Sequence, residues 1–351
     1  MKQIITILFF CSIALFACRK NNDVKSTASA CLLTQTTETG KSNTGTIDES
    51  TYTVTQNYDY NEKGLLTGQS FRANSKNKSN KTAASNSTLT YQYDADGFLA
   101  KKVYTASSTD FDSKSSNENR IHDYSYSNGR LVKEIQTNNG NSAGTPFTAS
   151  ATITYEYDGA GNQIKYLSTQ IYNGVSQGSY TTLNEYTNNK VSKYTVIPNG
   201  GSALNYVIEV NGQGSITKLL NPTDGYENRY QYNNEGTQIL REDWQKGKKN
   251  SKRAISFDNN TNVLLSIRPS QKGFPKSLFG TDPFSGKNNV IKDQHYDIDG
   301  TSGADVLYFT YNYTYQYNSS GLPITKIAKG EKATGEVSSE WTTNYVYSNC
   351  K

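Results

Sequence analysis

The chain has little of what most catalytic and metal sites are made from. Its 351 residues hold two histidines, four cysteines, two tryptophans and one methionine. His122 and His295 are far apart, and no Cys, His or acidic cluster with metal spacing surrounds either. Both read as strand-edge residues rather than catalysts or ligands. There is no serine elbow, no glycine-rich phosphate loop and no zinc signature, and acids such as Asp94 and Asp96 are turn formers first. Long apolar runs stop at residue 16, and no later segment spaces its apolar residues as a helix does, which argues against helices. An excess of one charge is missing too. The formal charge is +5, acids and bases alternate, and there is no basic stripe of the kind nucleic acid binding needs.

Tyrosine is what the chain has in quantity. There are 27, in a sequence only 34% hydrophobic, with a mean hydropathy of −0.73. Tyrosine brings large buried area and strand propensity while keeping a hydroxyl for water or backbone. The composition describes a polar β protein with few aliphatic residues for a thick core.

The first thirty residues carry an address. Met1-Lys2-Gln3 is followed by an apolar run, Ile4 to Phe16, too short to span a bilayer as a helix. It reads as an export signal. The run ends Leu15-Phe16-Ala17-Cys18, which resembles the bacterial lipobox, with Cys18 lipidated as the mature N-terminus. The alternative is an ordinary cleaved signal with Cys18 as a bystander. Residues 1–17 are then the signal peptide, 18–30 a polar tether, and 31–351 a single domain. No aspartate follows Cys18, which by analogy with enterobacterial sorting points to the outer membrane, facing either the periplasm or the outside. Cys11 leaves with the signal. Cys31 and Cys350 remain as a disulfide candidate in an oxidising compartment, the alternative being two free thiols.

One phrase recurs through the rest, Y-x-Y-(D/N/S)-x-x-G-x-L-x-K. Clear copies begin at Tyr58, Tyr91, Tyr124, Tyr155, Tyr230 and Tyr315. Weaker ones start at Ile208, at Glu185-Tyr186, at Ile255 (leading to Val263) and at Phe284 (leading to Val290), and Tyr345-Val346-Tyr347 ends the chain as a half-unit. Alternation in Tyr91-Gln92-Tyr93 puts two rings on one face of a strand. Asp94 followed by Gly97 is turn chemistry, and Leu99-Ala100-Lys101-Lys102-Val103 returns as the partner strand. Each copy is therefore a β-hairpin with a glycine bulge. Polar stretches such as residues 72–87, 105–119 and 137–149 read as solvated connections. Pro323 cannot donate to a ladder and is expected at a bulge or a non-bonded position.

The phrase is similar to the tyrosine–aspartate repeats of Rhs and teneurin proteins, and with the lipobox it resembles lipoproteins of Bacteroidota built from the same repeat. That resemblance implies hairpins spiralling into a hollow shell. Thr281-Asp282-Pro283-Phe284 resembles the Asp-Pro of the Rhs self-cleavage core, although further hairpins follow it.

The expected fold is all-β, an antiparallel meander of repeated hairpins in one large sheet, twisted or curled into an open-barrel-like or solenoid form. The expected function is a lipid-anchored, non-enzymatic envelope scaffold or binding protein for a glycan or peptide. The alternatives are a carbohydrate hydrolase in a groove of the sheet and an Rhs-like enclosing shell. The expected partners are the membrane, through the lipid, and a glycan or peptide, with no nucleic acid. No cofactor is expected beyond a calcium candidate at Asp297, Asp299 and Asp305, the alternative being a plain hairpin loop.

Overall fold

The computed structural model describes residues 31–44, 49–265, 267–279 and 281–348. These residues form twenty strands in a single sheet, β1 to β20 in chain order. Each strand pairs antiparallel with its neighbours in sequence, from β1 (Leu32–Ser42) with β2 (Ser50–Tyr60) through to β19 (Pro323–Lys332) with β20 (Val337–Ser348). β20 then pairs with β1, from Leu32 opposite Ser348 to Ser42 opposite Ser339. The meander is as expected, but the sheet is a closed barrel, not an open curl or a solenoid. Closure leaves no strand edge unpaired.

The repeat explains how the ring closes. In every unit the second residue of the tyrosine pair sits at a bulge opposite the leucine position: Tyr60 opposite Leu66, Tyr93 opposite Leu99, Tyr126 opposite Leu131, Tyr317 opposite Pro323. The terminal half-unit finds its missing half at the other end of the chain, with Tyr347 opposite Leu33. Cys31, at the head of β1, is disulfide-bonded. Cys350 and Cys18 lie outside the described residues.

The turns follow the expected chemistry. Asn61, Asp94, Asp158, Asn211, Asn233 and Asn318 each accept the backbone N–H four residues on. Gly97 has φ +82°, a conformation that favours glycine. Because the bulge is always in the same place, Gln163, Gln238 and Pro323 take the leucine position, and Ile324, one step later, is exposed.

Two readings need correction. The polar stretches are strands rather than connections: residues 72–87 belong to β3 (Leu66–Asn77) and β4 (Thr82–Tyr93), joined by a four-residue turn. Ser, Thr and Asn there alternate with no hydrophobic partner face, so sequence period gives no strand signal, and ladder pairing with both neighbours carries them. The second correction concerns the weak copies at Ile255 and Phe284, which are one unit. Phe257 in β16 (Lys248–Thr261) pairs with Val290 in β17 (Asn288–Ile298), and residues 262–287 are an insertion between them. Asp258 still makes both turn bonds, to the N–H of Asn260 at 3.0 Å and of Asn289 at 3.1 Å. Asn262 closes the neck of the insertion, with its Nδ2 donating to the carbonyls of Phe284 and Gly286.

The insertion is a plug. Val263 joins Leu33, Tyr58, Leu66, Tyr91, Leu99 and Tyr345 in the core, with Leu264, Ile267 and Phe274 packed against it. It crosses to β7 (Arg130–Ser142), where the N–H of Leu131 donates to the Gly273 carbonyl at 2.7 Å, and returns past Ile216 and Gln238, whose N–H groups donate to Leu278 and Thr281. All three donors stand at the leucine position, where a bulge leaves an N–H out of the ladder. Pro323 occupies the same position in its own unit and has no N–H to satisfy.

Candidate functional site

Alternation along the strands decides what faces the lumen. Tyr58, Tyr91 and Tyr345 point inward and are buried. The next tyrosine along holds the neighbouring hairpin. The hydroxyl of Tyr60 donates to the Leu33 carbonyl at 2.8 Å, Tyr93 to Leu66 at 2.7 Å, Tyr126 to Leu99 at 2.9 Å, Tyr157 to Leu131 at 2.8 Å and Tyr347 to Pro323 at 2.6 Å. Each bond runs from one repeat to the one before it, so the phrase ties hairpins together as well as forming them. Burial pushes the phenols of Tyr93 and Tyr186 up to about 12.

Above the tyrosines the inner wall carries charged groups, each held by its neighbours. His122 Nδ1 lies 2.6 Å from Glu134 Oε1, and Gln136 donates to the same oxygen. Arg253 grips Asp293 with two bonds of 2.9 and 2.8 Å, and His295 Nε2 is 3.2 Å from the same carboxylate. Burial alone would raise the Asp293 carboxyl, but the bonds from His295 and Arg253 outweigh it and hold it below the ordinary value. Thr343 and Tyr52 donate to Glu38, with Lys326 at 3.9 Å, and burial lowers the Lys326 amine against the pull of Glu38. Both histidines are thus inward wall residues rather than strand-edge ones. The signal was present in the sequence, since His122 is in phase with Tyr124 and Tyr126.

Two cavities lie between wall and plug. One, about 350 Å³, is bounded by Glu38, Tyr52, Tyr313, Lys326, Trp341 and Tyr345 below Val263 and Phe284. The larger, about 700 Å³, is bounded by Tyr166, Tyr180, Tyr194, Tyr230, Asn184 and Arg241, with Leu278 and Phe279 of the plug over it. Both fall within the size range of ligand sites, roughly 300–1,000 Å³. The alternation of the repeat places the tyrosines on one face of each strand, but nothing in it signals the plug that makes chambers of them.

The calcium candidates are not gathered together. Asp299 caps its own hairpin turn, accepting from Thr301 and Ser302. Asp305 is held by Lys249 and Lys252, and Asp297 is exposed on β17. Among the described residues no three His, Cys, Asp or Glu side chains are placed to share a metal. Asp282 of the Asp-Pro pair caps Pro283–Ser285, the second of two short 3₁₀ turns in the plug after Val263–Leu265.

The outer wall is mainly polar and charged, with single exposed aliphatic side chains such as Ile135, Val207, Ile327 and Val346 scattered along it. Thr51, Thr53, Thr55, Asn57 and Asp59 face outward along β2, and the hydroxyls of Thr88 and Thr105 meet at 2.6 Å across two strands. Cross-strand pairs join Glu156 to Lys165 at 2.7 Å and Glu185 to Lys193 at 2.8 Å. A wider lattice links Glu209, Lys218, Glu227 and Arg229, with Arg229 lying 4.0 Å over Trp244. It continues through Glu242, Lys249, Asp305 and Lys252.

No family model matches the chain, and no curated protein matches it. Solved structures do. A porin-like protein from Bacteroides uniformis is 12% identical with a TM-score of 0.35, over 90% of this chain and 97% of that one. The siderophore receptor PirA from Pseudomonas aeruginosa is 8% identical with a TM-score of 0.35, over 91% and 81%. A porin-like protein from Bacteroides vulgatus is 10% identical with a TM-score of 0.23, over 75% and 93%. The resemblance to Rhs and teneurin repeats, and to the repeat-lipoprotein family built on it, is corrected by the fold itself: β20 pairs with β1, so the hairpins close into one ring instead of spiralling into a shell.

Proposed function

We propose that this is an exported, non-enzymatic cell-envelope protein, tethered by lipid on Cys18, that binds a glycan or peptide inside its barrel. The observation that carries the reading is the arrangement of the wall. A barrel embedded in lipid turns an apolar band about 25 Å tall outward and keeps its interior polar. Here threonine, asparagine and a lattice of ion pairs face outward, and tyrosine faces inward. Such a barrel stands in water and needs a separate anchor. Cys31 lies at the plugged end, so a tether running back to Cys18 leaves from there and the opposite mouth faces away from the membrane. The absence of aspartate after Cys18 supports the outer membrane as the address.

A binding role rather than a hydrolytic one is supported by the inner-wall carboxylates. A glycosidase needs two that are free to exchange protons and attack, whereas Glu134, Asp293 and Glu38 are each bonded to neighbouring groups. The disulfide partner of Cys31 is, on this reading, Cys350. Leu32 opposite Ser348 brings the two chain ends to where every other unit has its turn.

Membrane fractionation with labelled palmitate tests the anchor. Wild type is expected in the outer membrane carrying label, and Cys18→Ala in the soluble fraction without it. A Cys18→Ala protein that still sediments with integral barrels would mean the wall is embedded, and the reading fails. Thermal-shift screening of the full mature protein against glycans, cell-wall fragments and peptides tests the ligand. A raised Tm with one class is expected, and none with any class removes the binding role.

A further inference from the structure

We propose that the larger chamber is a binding site for a neutral oligosaccharide, an assignment that rests on the lumen-binding reading and narrows it. The first observation is an unanswered acceptor. Asn184 is 6% exposed, its Nδ2 donates to the Gln163 carbonyl at 3.0 Å, and its Oδ1 meets no donor among the described residues. A buried acceptor without a partner costs about 1–3 kcal/mol. Here it borders the largest cavity between wall and plug, so a ligand that donates a hydrogen bond there would recover that cost.

The second observation is the geometry of the rings. Tyr166 and Tyr180 meet edge to face at 6.4 Å and 75°, and Phe279 meets Tyr194 at 88° and Tyr230 at 67°. Rings packed by their edges leave faces for another partner. Tyr180 is 41% exposed, so its chamber is open to solvent. A ligand suited to this wall has flat C–H faces to lie on the rings and hydroxyls at its rim to donate to Asn184. A pyranose has both.

Two competing classes fit less well. An extended peptide is captured by adding a strand to a sheet edge, and this closed ring has none to offer. An acidic sugar needs an unopposed cation. Arg241 in the chamber wall already donates its Nε–H to Asp243 at 2.9 Å, and the other cation of the lining, the exposed Lys276 of the plug, is matched there by Asp282, so the formal charges of the chamber cancel and what Arg241 has left to offer is hydrogen bonds to hydroxyls.

Isothermal titration of the full mature protein with neutral, uronic-acid and peptide ligands tests this. A neutral oligosaccharide is expected to bind. Tyr180→Ala and Asn184→Ala should each weaken it about tenfold or more, while the outer-wall variant Ile327→Ala leaves it unchanged. Unfolding curves will confirm that each variant is folded, and Asn184→Leu, which removes the acceptor at similar volume, serves if Asn184→Ala is not. If a sugar binds but the loss follows Trp341→Ala and not Tyr180→Ala, the site lies in the smaller cavity and this assignment is wrong, though the lumen still binds. If only uronic acids or only peptides bind, the neutral class is wrong and the lumen reading stands. If nothing binds, both fall.

Discussion

The two ends of the barrel are made from the same strands and are built differently. At the plugged end, Leu33, Leu66, Leu99 and Leu131 are at most 2% exposed, tyrosine hydroxyls tie each hairpin to the last, and residues 262–287 fill the bore. At the other end Ser, Thr and Asn face both ways, and Ile171, Tyr172 and Val175 stand exposed at a hairpin tip. The difference teaches where stability resides. Apolar burial and inter-repeat hydrogen bonds are concentrated in the first few residues beyond each D-x-x-G turn. The remainder of each strand is held by its ladder, which leaves the open half free to line a wet cavity.

Four experiments would break or sharpen this contrast. The largest effect should come from alkali. Unfolded tyrosine ionises near 10, while burial pushes Tyr93 and Tyr186 up to about 12 and raises Tyr91 and Tyr124 as well. A raised folded value means stability that is intact below pH 10 and lost as pH climbs toward and past the folded values. Circular dichroism and tyrosinate absorbance should therefore change together in one cooperative step above pH 10. Tyrosinate appearing well before the fold is lost would mean the rings are not packed as described.

Next in size, Leu99→Ala at the plugged end should cost about 4 kcal/mol in denaturant unfolding. Thr88→Ala, on the outer face further along the neighbouring strand, should cost under about 0.5 kcal/mol. Equal costs would erase the contrast between the ends. Cys31→Ser should cost about 3 kcal/mol, because the bond restrains the unfolded chain. Hydrogen exchange should then rise first in β1 and β20 at the plugged end, and faster exchange at the open rim instead would place the seam's weak point elsewhere. The smallest effect is expected from Tyr93→Phe, about 1 kcal/mol for the lost bond to the Leu66 carbonyl and the longer one accepted from the Ser270 N–H at 3.4 Å, against no change for a tyrosine that makes no such bond, such as Tyr172.

Much of this architecture could be read from the repeat. The hairpin, its bulge, its Asp or Asn turn and the meander follow from local rules that act within about ten residues. Closure was not legible, because pairing of Leu33 with Tyr347 is a contact between the chain's ends, and the phrase looks the same in an open or a closed sheet. The plug was misread for a related reason. Val263 and Phe284 imitate the repeat's apolar positions, while three of the seven prolines, Pro269, Pro275 and Pro283, mark a stretch that cannot alternate as a strand. The chambers depend on that plug, so the roles of Asn184, Tyr180 and Arg241 could not have been picked out from 27 tyrosines and many amides.

The seam has a consequence for how the chain can be rewired. The junction of β20 with β1 has the register of an ordinary repeat, so the ring has no privileged starting point. Joining the two ends with a D-x-x-G linker and cutting instead at Gly64 or Gly321 should give circular permutants with the same wall, the same plug and the same chambers, while moving any N-terminal tether to a new position around the plugged end.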